Sequence, residues 1–351
     1  MINEDQVMEV LSRVEDPELH RSLTDLKMVR DVWVSDGKVE VTIALTLPNC
    51  PLKEKIKQEV EAAILELAGI DTVVINLTAM TAEERQALFG EPNEGGATQY
   101  NRVRRVVAIM SGKGGVGKSF VTGLLGTALA QSGYKVGVLD ADITGPSIPK
   151  LFGLHGPLEA GPVGVRPIVS QSGVQIMSFT FLLQTEDQPV VWRGPLIGKA
   201  ITQLWTDVFW GDLDYLLVDL PPGTSDAALT TLQSLPVNGI VIVTTPQSLA
   251  AMIVRKAVHM AQLIGVPIAG VVENMAYFVA PDSKVRYDIF GPSHTSEVLE
   301  LANTPLLAQL PINPLATSLC DAGKIEVVSL LETDELLRKF LELVPVQVAA
   351  P

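Results

Sequence analysis

From residue 104 onward the chain is marked by five apolar runs with little polar alternation, at 106–110, 135–140, 213–219, 239–246 and 268–275. Runs of this kind, rich in valine, isoleucine and leucine, predict strands buried on both faces of a parallel sheet. The spacing changes between them. Val121, Leu124, Leu125, Ala128 and Leu129 recur at helical intervals until Gly133, and Ile201, Leu204 and Trp205 mark a second helix. Strand and helix in alternation predict an α/β fold with a mostly parallel, doubly wound sheet. The front of the chain reads differently. Val7, Val10 and Leu11 share one helix face, and Val32-Trp33-Val34 and residues 39–43 alternate around Asp36-Gly37 as a hairpin. A helix at about 52–67 and a strand at 72–76 complete a small α+β domain.

Residues 89–103, with Gly90, Pro92, Gly95 and Gly96, have the composition of a flexible linker. The expected division is therefore a small domain over 1–88, the linker, and a larger domain over 104–351. At 351 residues, 47% hydrophobic and 19% charged, the chain is long and apolar enough for two folded cores. The 26 basic and 40 acidic side chains leave a net charge of −14, which repels phosphate polymers and anionic lipid. Nucleic acid and membrane are not expected partners. No apolar run approaches the roughly 20 residues that span a bilayer. The start, Met1-Ile2-Asn3-Glu4-Asp5, has neither a basic segment nor an apolar core, so a cytoplasmic location is expected.

The first buried run leads into Ser111-Gly112-Lys113-Gly114-Gly115-Val116-Gly117-Lys118-Ser119, and the first helix follows at once. Strand, glycine loop and helix in that order fit the phosphate loop GxxxxGK[ST]. Glycines let successive backbone N–H groups turn toward phosphate oxygens at a helix N-terminus, whose dipole already favours negative charge. Residues 112–119 are thus expected to cradle a nucleotide, Lys118 reaching the β- and γ-phosphates and Ser119 giving its hydroxyl to Mg²⁺. Lys113 cannot share the place of Lys118. It is either a solvated loop lysine or a group that reaches a phosphate held by a facing subunit.

Three later strands end in polar residues, where open α/β sheets bind ligands. The run at 135–140 ends in Asp140-Ala141-Asp142; Asp140 is also placed to cap the next helix. The run at 213–219 ends in Asp219, ahead of Leu220-Pro221-Pro222-Gly223-Thr224-Ser225-Asp226. This is the Walker B arrangement, in which Asp219 holds a Mg²⁺-bound water and Gly223 offers its N–H to the γ-phosphate. Asn274, at the tip of the last run, has an amide suited to an adenine edge or to an Asx turn.

Lys113 and Lys118 together resemble the deviant Walker A, KGGxGK[ST], of the MinD/ParA/nitrogenase iron-protein class. The resemblance implies a nucleotide-sandwich homodimer with Lys113 working across it, Asp142 orienting the attacking water, and Asn274 reading the base. Asp140-Ala141-Asp142, Trp192-Arg193-Gly194-Pro195, the segment 219–226 and Glu273-Asn274-Met275-Ala276-Tyr277-Phe278 resemble the Mrp/ApbC iron-sulfur cluster carriers. Asp16-Pro17-Glu18 and the Cys50-Pro51 turn resemble the MIP18-like iron-sulfur assembly domain fused ahead of many of them. The resemblance implies a slow ATPase with ATP and Mg²⁺, an iron-sulfur cluster as cargo, and scaffold and recipient apoproteins as partners. A positioning or adaptor ATPase without a cluster is the alternative.

The family pattern breaks in two places. Where many members carry CxxC after ENM-x-YF, this chain reads Ala280-Pro281-Asp282-Ser283. Thiolates would then come from Cys50, Cys320 or a partner, and Cys50, near a helix start, is either an activated ligand or a small packed residue. Cys320 reads as packing. The glycine-rich turn after Phe290-Gly291 is replaced by Pro292-Ser293-His294-Thr295.

Overall fold

The computed structural model describes residues 2–17, 21–35, 37–45, 53–81, 84, 97–143, 145–161, 163–183, 194–224 and 226–346. Cys50, Glu18, the linker residues 89–96, Trp192 and Arg193 lie outside them. The chain divides into two compact units, Met1–Tyr100 with Ala160–Gly164, and Asn101–Glu159 with Val165–Pro351.

The first unit holds α1 (Glu4–Leu11), β1 (Val29–Ser35), β2 (Lys38–Leu45), α2 (Lys53–Leu65) and β3 (Thr72–Ala79). A reciprocal capping box starts α1, with Asn3 Oδ1 accepting from the Gln6 N–H and Gln6 Oε1 accepting from the Asn3 N–H. As the pattern predicts, β1 and β2 pair antiparallel, with Ser35 opposite Lys38 and Gly37 at φ 78° between them. Parallel pairing of β2 with β3 completes the sheet. Val39, Val41 and Ile43 alternate inward against Val7 and Leu11 of α1 and Ile56, Val60 and Ile64 of α2, all fully or almost fully buried. Each such side chain contributes about 1.5–3 kcal/mol by leaving water.

The second unit begins inside the expected linker. A 3-10 turn over 97–100 closes the first unit, and in the second β4 (Arg102–Ser111) starts two residues before the expected domain start. After β4 come α3 (Lys118–Gln131), β5 (Val136–Asp140), α4 (Ile148–Phe152), β6 (Ile168–Val169), β7 (Gln175–Ser178), α5 (Gly194–Thr206), β8 (Asp212–Asp219), α6 (Asp226–Ser234), β9 (Gly239–Thr244), α7 (Ser248–Leu263), β10 (Ile268–Glu273), the short pair β11 (Phe278–Val279) and β12 (Arg286–Tyr287), α8 (Thr295–Ala302), β13 (Leu306–Gln309), α9 (Pro314–Asp321) and α10 (Glu332–Leu343). The main sheet runs β13-β10-β9-β4-β8-β5-β7-β6, parallel except for the edge strand β6.

The near-continuous apolar runs are explained by burial on both faces. In β4, Val106, Ala108 and Met110 pack toward α5, α6, α7 and α8, whereas Val107 and Ile109 pack toward α3, α4 and α10. Because β4 lies between β9 and β8, the chain leaves its C-terminal end and crosses over β8 to reach β5. The crevice at that reversal is where a doubly wound sheet binds its ligand.

Candidate nucleotide site

The loop between β4 and α3 occupies that crevice. Gly117 precedes α3 at φ 82°, a left-handed conformation that costs a residue with a Cβ, and a Cβ there would lie 2.1 Å from Asn274 Nδ2. Gly112 is equally constrained, since a Cβ on it would come 2.9 Å from the Val254 backbone nitrogen in α7. Gly112 therefore lets the loop pack against α7, and Gly117 lets it approach the Asn274 side chain.

Parallel register sets Asp219 beside Ile109 on one side and Asp140 on the other, so two strand-tip carboxylates are direct neighbours. Asp219 is fully buried and accepts from Ser119 Oγ at 2.6 Å and Thr122 Oγ1 at 2.8 Å. Lys118 Nζ lies 2.7 Å from Asp219 Oδ2, with only 6% of its side chain exposed. The two form a buried ion pair, and among the described residues the ammonium makes no further contact within hydrogen-bonding angles, so it keeps donors to spare. An ammonium in this state, facing a glycine loop and a helix N-terminus, suits a phosphate group. Ser119 and Asp219, their oxygens in contact, are the hard donors Mg²⁺ takes. The residues present thus fit a nucleotide with Mg²⁺. Among the described residues, no group of three or more His, Cys, Asp or Glu side chains would hold a metal ion by itself.

Asp140 is pushed up to about 8, first by burial and then by the negative charge of Asp219, with Lys118 partly offsetting both. Its carboxylate organises the following loop, accepting from the Asp142 N–H at 3.2 Å, the Ser147 N–H at 3.1 Å, the Ile148 N–H at 3.2 Å and Ser178 Oγ at 3.3 Å. The expected capping of the next helix is present, and it also fixes the turn carrying Asp142. Asp142 itself is 9% exposed and accepts from the Gly145 N–H at 3.1 Å.

The remaining predicted residues surround the loop. Asn274 Nδ2 donates to the Val116 carbonyl at 2.9 Å, so in this structure its amide holds the loop. The Gly223 N–H, expected to face the γ-phosphate, donates to the Ser111 carbonyl at 3.1 Å. Lys113 Nζ donates to Gln247 Oε1 at 2.8 Å.

Three residues with polar work at this end of the sheet have no role in the sequence-based expectation. Thr122, four residues after Lys118 on one helix face, had a readable spacing. Gln247 had none. Glu273 ends the apolar run of β10, fully buried, and accepts from Ser293 Oγ, Thr295 Oγ1 and Gln309 Nε2, each at 2.5 Å. The altered turn at 292–295 thereby gains a physical reason: two of its hydroxyls satisfy this carboxylate.

The place of CxxC is the tight connection between β11 and β12. The Ala280 N–H donates to the Val285 carbonyl at 3.0 Å and the Lys284 N–H to the Ala280 carbonyl at 2.9 Å. Tyr277 at its base donates to Glu332 Oε1, and the Arg286 guanidinium lies 4.0 Å from the Tyr277 ring centroid. Cys320 is buried in the α3/α9/α10 core, and burial followed by the nearby Asp321 charge pushes its thiol up. It packs, as expected, and a raised thiol is a poorer metal ligand.

The family model described as the NUBPL iron-transfer P-loop NTPase matches residues 102–345, and that described as the iron-sulfur cluster assembly protein matches 4–77. The chain belongs to the NUBPL-type iron-transfer P-loop NTPases. It is 44% identical over 317 residues to an iron-sulfur cluster carrier protein of Synechocystis, covering 89% of this chain and 88% of that one. It is also 37% identical to an iron-sulfur cluster carrier protein of Aquifex aeolicus, covering 97% and 96%. Among solved structures, a nucleotide-binding protein from Archaeoglobus fulgidus in complex with ADP is 42% identical, with a TM-score of 0.60 over 69% of this chain and 93% of that chain. The cell division ATPase MinD of Pyrococcus furiosus is 22% identical with a TM-score of 0.51 over 69% and 97%, a likeness of fold. In this NTPase, no helix among the described residues is long and apolar enough to cross a membrane.

Proposed function

We propose that this NTPase binds and slowly hydrolyses ATP as a homodimer, and that the nucleotide state governs its work as an iron-sulfur cluster carrier or assembly factor. The buried Lys118 ammonium, paired with Asp219 and with no other hydrogen-bond partner among the described residues, is the observation that supports the nucleotide half most directly. In this reading residues 112–119 hold the phosphates, Asn274 contributes to the base side, and Gly223 stands beside the γ-phosphate. Ser119 and Asp219 hold Mg²⁺, which when bound supplies charge neutralisation on the phosphate oxygens. Asp142, held by the loop that Asp140 organises, orients the water, and Lys113 serves the phosphate of the facing chain. The relatives named as cluster carriers and the assembly-protein match over 4–77 support the cargo half and a front domain within 1–88.

A second reading, an adaptor that switches with nucleotide and carries no cluster, is favoured by Ala280–Ser283 and by the buried Cys320. Anaerobic purification with iron and sulfide analysis, repeated after Cys50→Ser, separates the two. Iron and sulfide in wild type, lost in Cys50→Ser, are expected for a carrier using Cys50. A colourless, iron-free wild type that fails reconstitution would favour the adaptor.

A further inference from the structure

Lys113 and Gln247 are 134 residues apart, yet their side chains meet because β4 and β9 are neighbours in the sheet, with Ser111 opposite Val243. Each residue lies just beyond the C-terminal end of its strand. Gln247 occupies the N-cap position of α7, where a side chain would ordinarily accept from the helix's own N–H groups, but it makes no capping bond. Its carbonyl oxygen is turned to the lysine instead. Both partners are held from behind. Gly112 is wedged against the backbone of Ile253 and Val254, and the Pro246 carbonyl accepts from the His294 N–H at 3.3 Å.

The acceptor chosen for this cation is neutral. Lys113 forms no ion pair among the described residues, so it is held by one bond of moderate strength. A phosphate oxygen is a stronger acceptor because it is charged. A lysine resting on an amide gives up only a bond to a neutral acceptor when it exchanges to a phosphate, a smaller loss than that of a lysine paired with a carboxylate, so a modest change in the acceptor shifts the exchange.

We propose that Gln247 parks Lys113 within its own chain and thereby sets the threshold at which two nucleotide-loaded chains pair. This rests on the reading that Lys113 acts in the facing chain. Removing the acceptor frees the lysine beforehand, so pairing needs less protein; strengthening the acceptor does the reverse. A purely structural role for Gln247 would not give opposite responses to the two changes.

The test is ATP turnover per chain measured against chain concentration, with the full chain and saturating Mg²⁺ and ATP. Gln247→Ala is expected to lower the concentration at half-maximal turnover about three- to tenfold, and Gln247→Glu to raise it by a similar factor. Gln247→Leu replaces the alanine variant if the latter does not fold. A midpoint for Gln247→Ala equal to or above that of wild type, or one for Gln247→Glu equal to or below it, would overturn the proposal. Lys113→Ala separates the two levels. If it loses turnover while Gln247→Ala matches wild type, parking alone is wrong. If Lys113→Ala turns over like wild type, action in the facing chain falls, and parking falls with it.

Discussion

The tips of β8 and β10 each carry a fully buried carboxylate, and they are satisfied in opposite ways. Asp219 has a lysine ammonium at 2.7 Å and two hydroxyls, whereas Glu273 has two hydroxyls and an amide and, among the described residues, no cation. An ion pair near a glycine loop can be exchanged for another charged ligand, because the lysine keeps donors to spare. A carboxylate saturated by neutral donors from two other segments is committed to holding them to its own strand. The first arrangement suits binding and the second suits architecture. Burial alone does not distinguish them; the character of the donors does.

The largest expected effect follows from removing the exchangeable cation. Lys118→Ala should lower ATP turnover at least about 100-fold in a phosphate-release assay, since charge stabilisation at the phosphates is lost. Asp142→Asn should lower it by about 100-fold or more while nucleotide binding survives, measurable by titration calorimetry. Glu273→Gln should behave in the contrary manner. It should cost about 1–3 kcal/mol of stability, seen as a lower melting temperature, while ATP turnover per folded chain stays within about twofold of wild type. Asn274→Ala, which removes the bond to the Val116 carbonyl, should cost about 1 kcal/mol in ATP affinity by the same calorimetry. Cys320→Ser should change least, lowering stability by about 1 kcal/mol at a packed site and leaving iron content as in wild type.

Much of the candidate nucleotide site is legible in the sequence because it is local. Residues 111–119 are contiguous, and Asp219 and Asp142 stand at the ends of apolar runs whose burial on both faces leaves a one-dimensional signature. The two-strand hairpin and α2 of the first unit were legible for the same reason. What stayed hidden depends on chain segments that meet only in the fold. The Lys113 contact spans 134 positions, and the donors to Glu273 come from 20 to 36 positions away. No periodicity encodes such pairs. β4 begins at Arg102, ahead of the apolar run at 106–110, because its first residues, Arg102 and Arg104, are polar and exposed and carry no hydrophobic signature. The edge strand β6 has only two residues, too few for a pattern to register.

The most direct measurement is a crystal structure of the protein with Mg²⁺ and a nonhydrolysable ATP analogue. Lys118 is expected to leave Asp219 and donate to the β- and γ-phosphates, with Ser119 on the metal. A loop without ligand, or Lys118 still resting on Asp219 beside a nucleotide bound elsewhere, would contradict the nucleotide site.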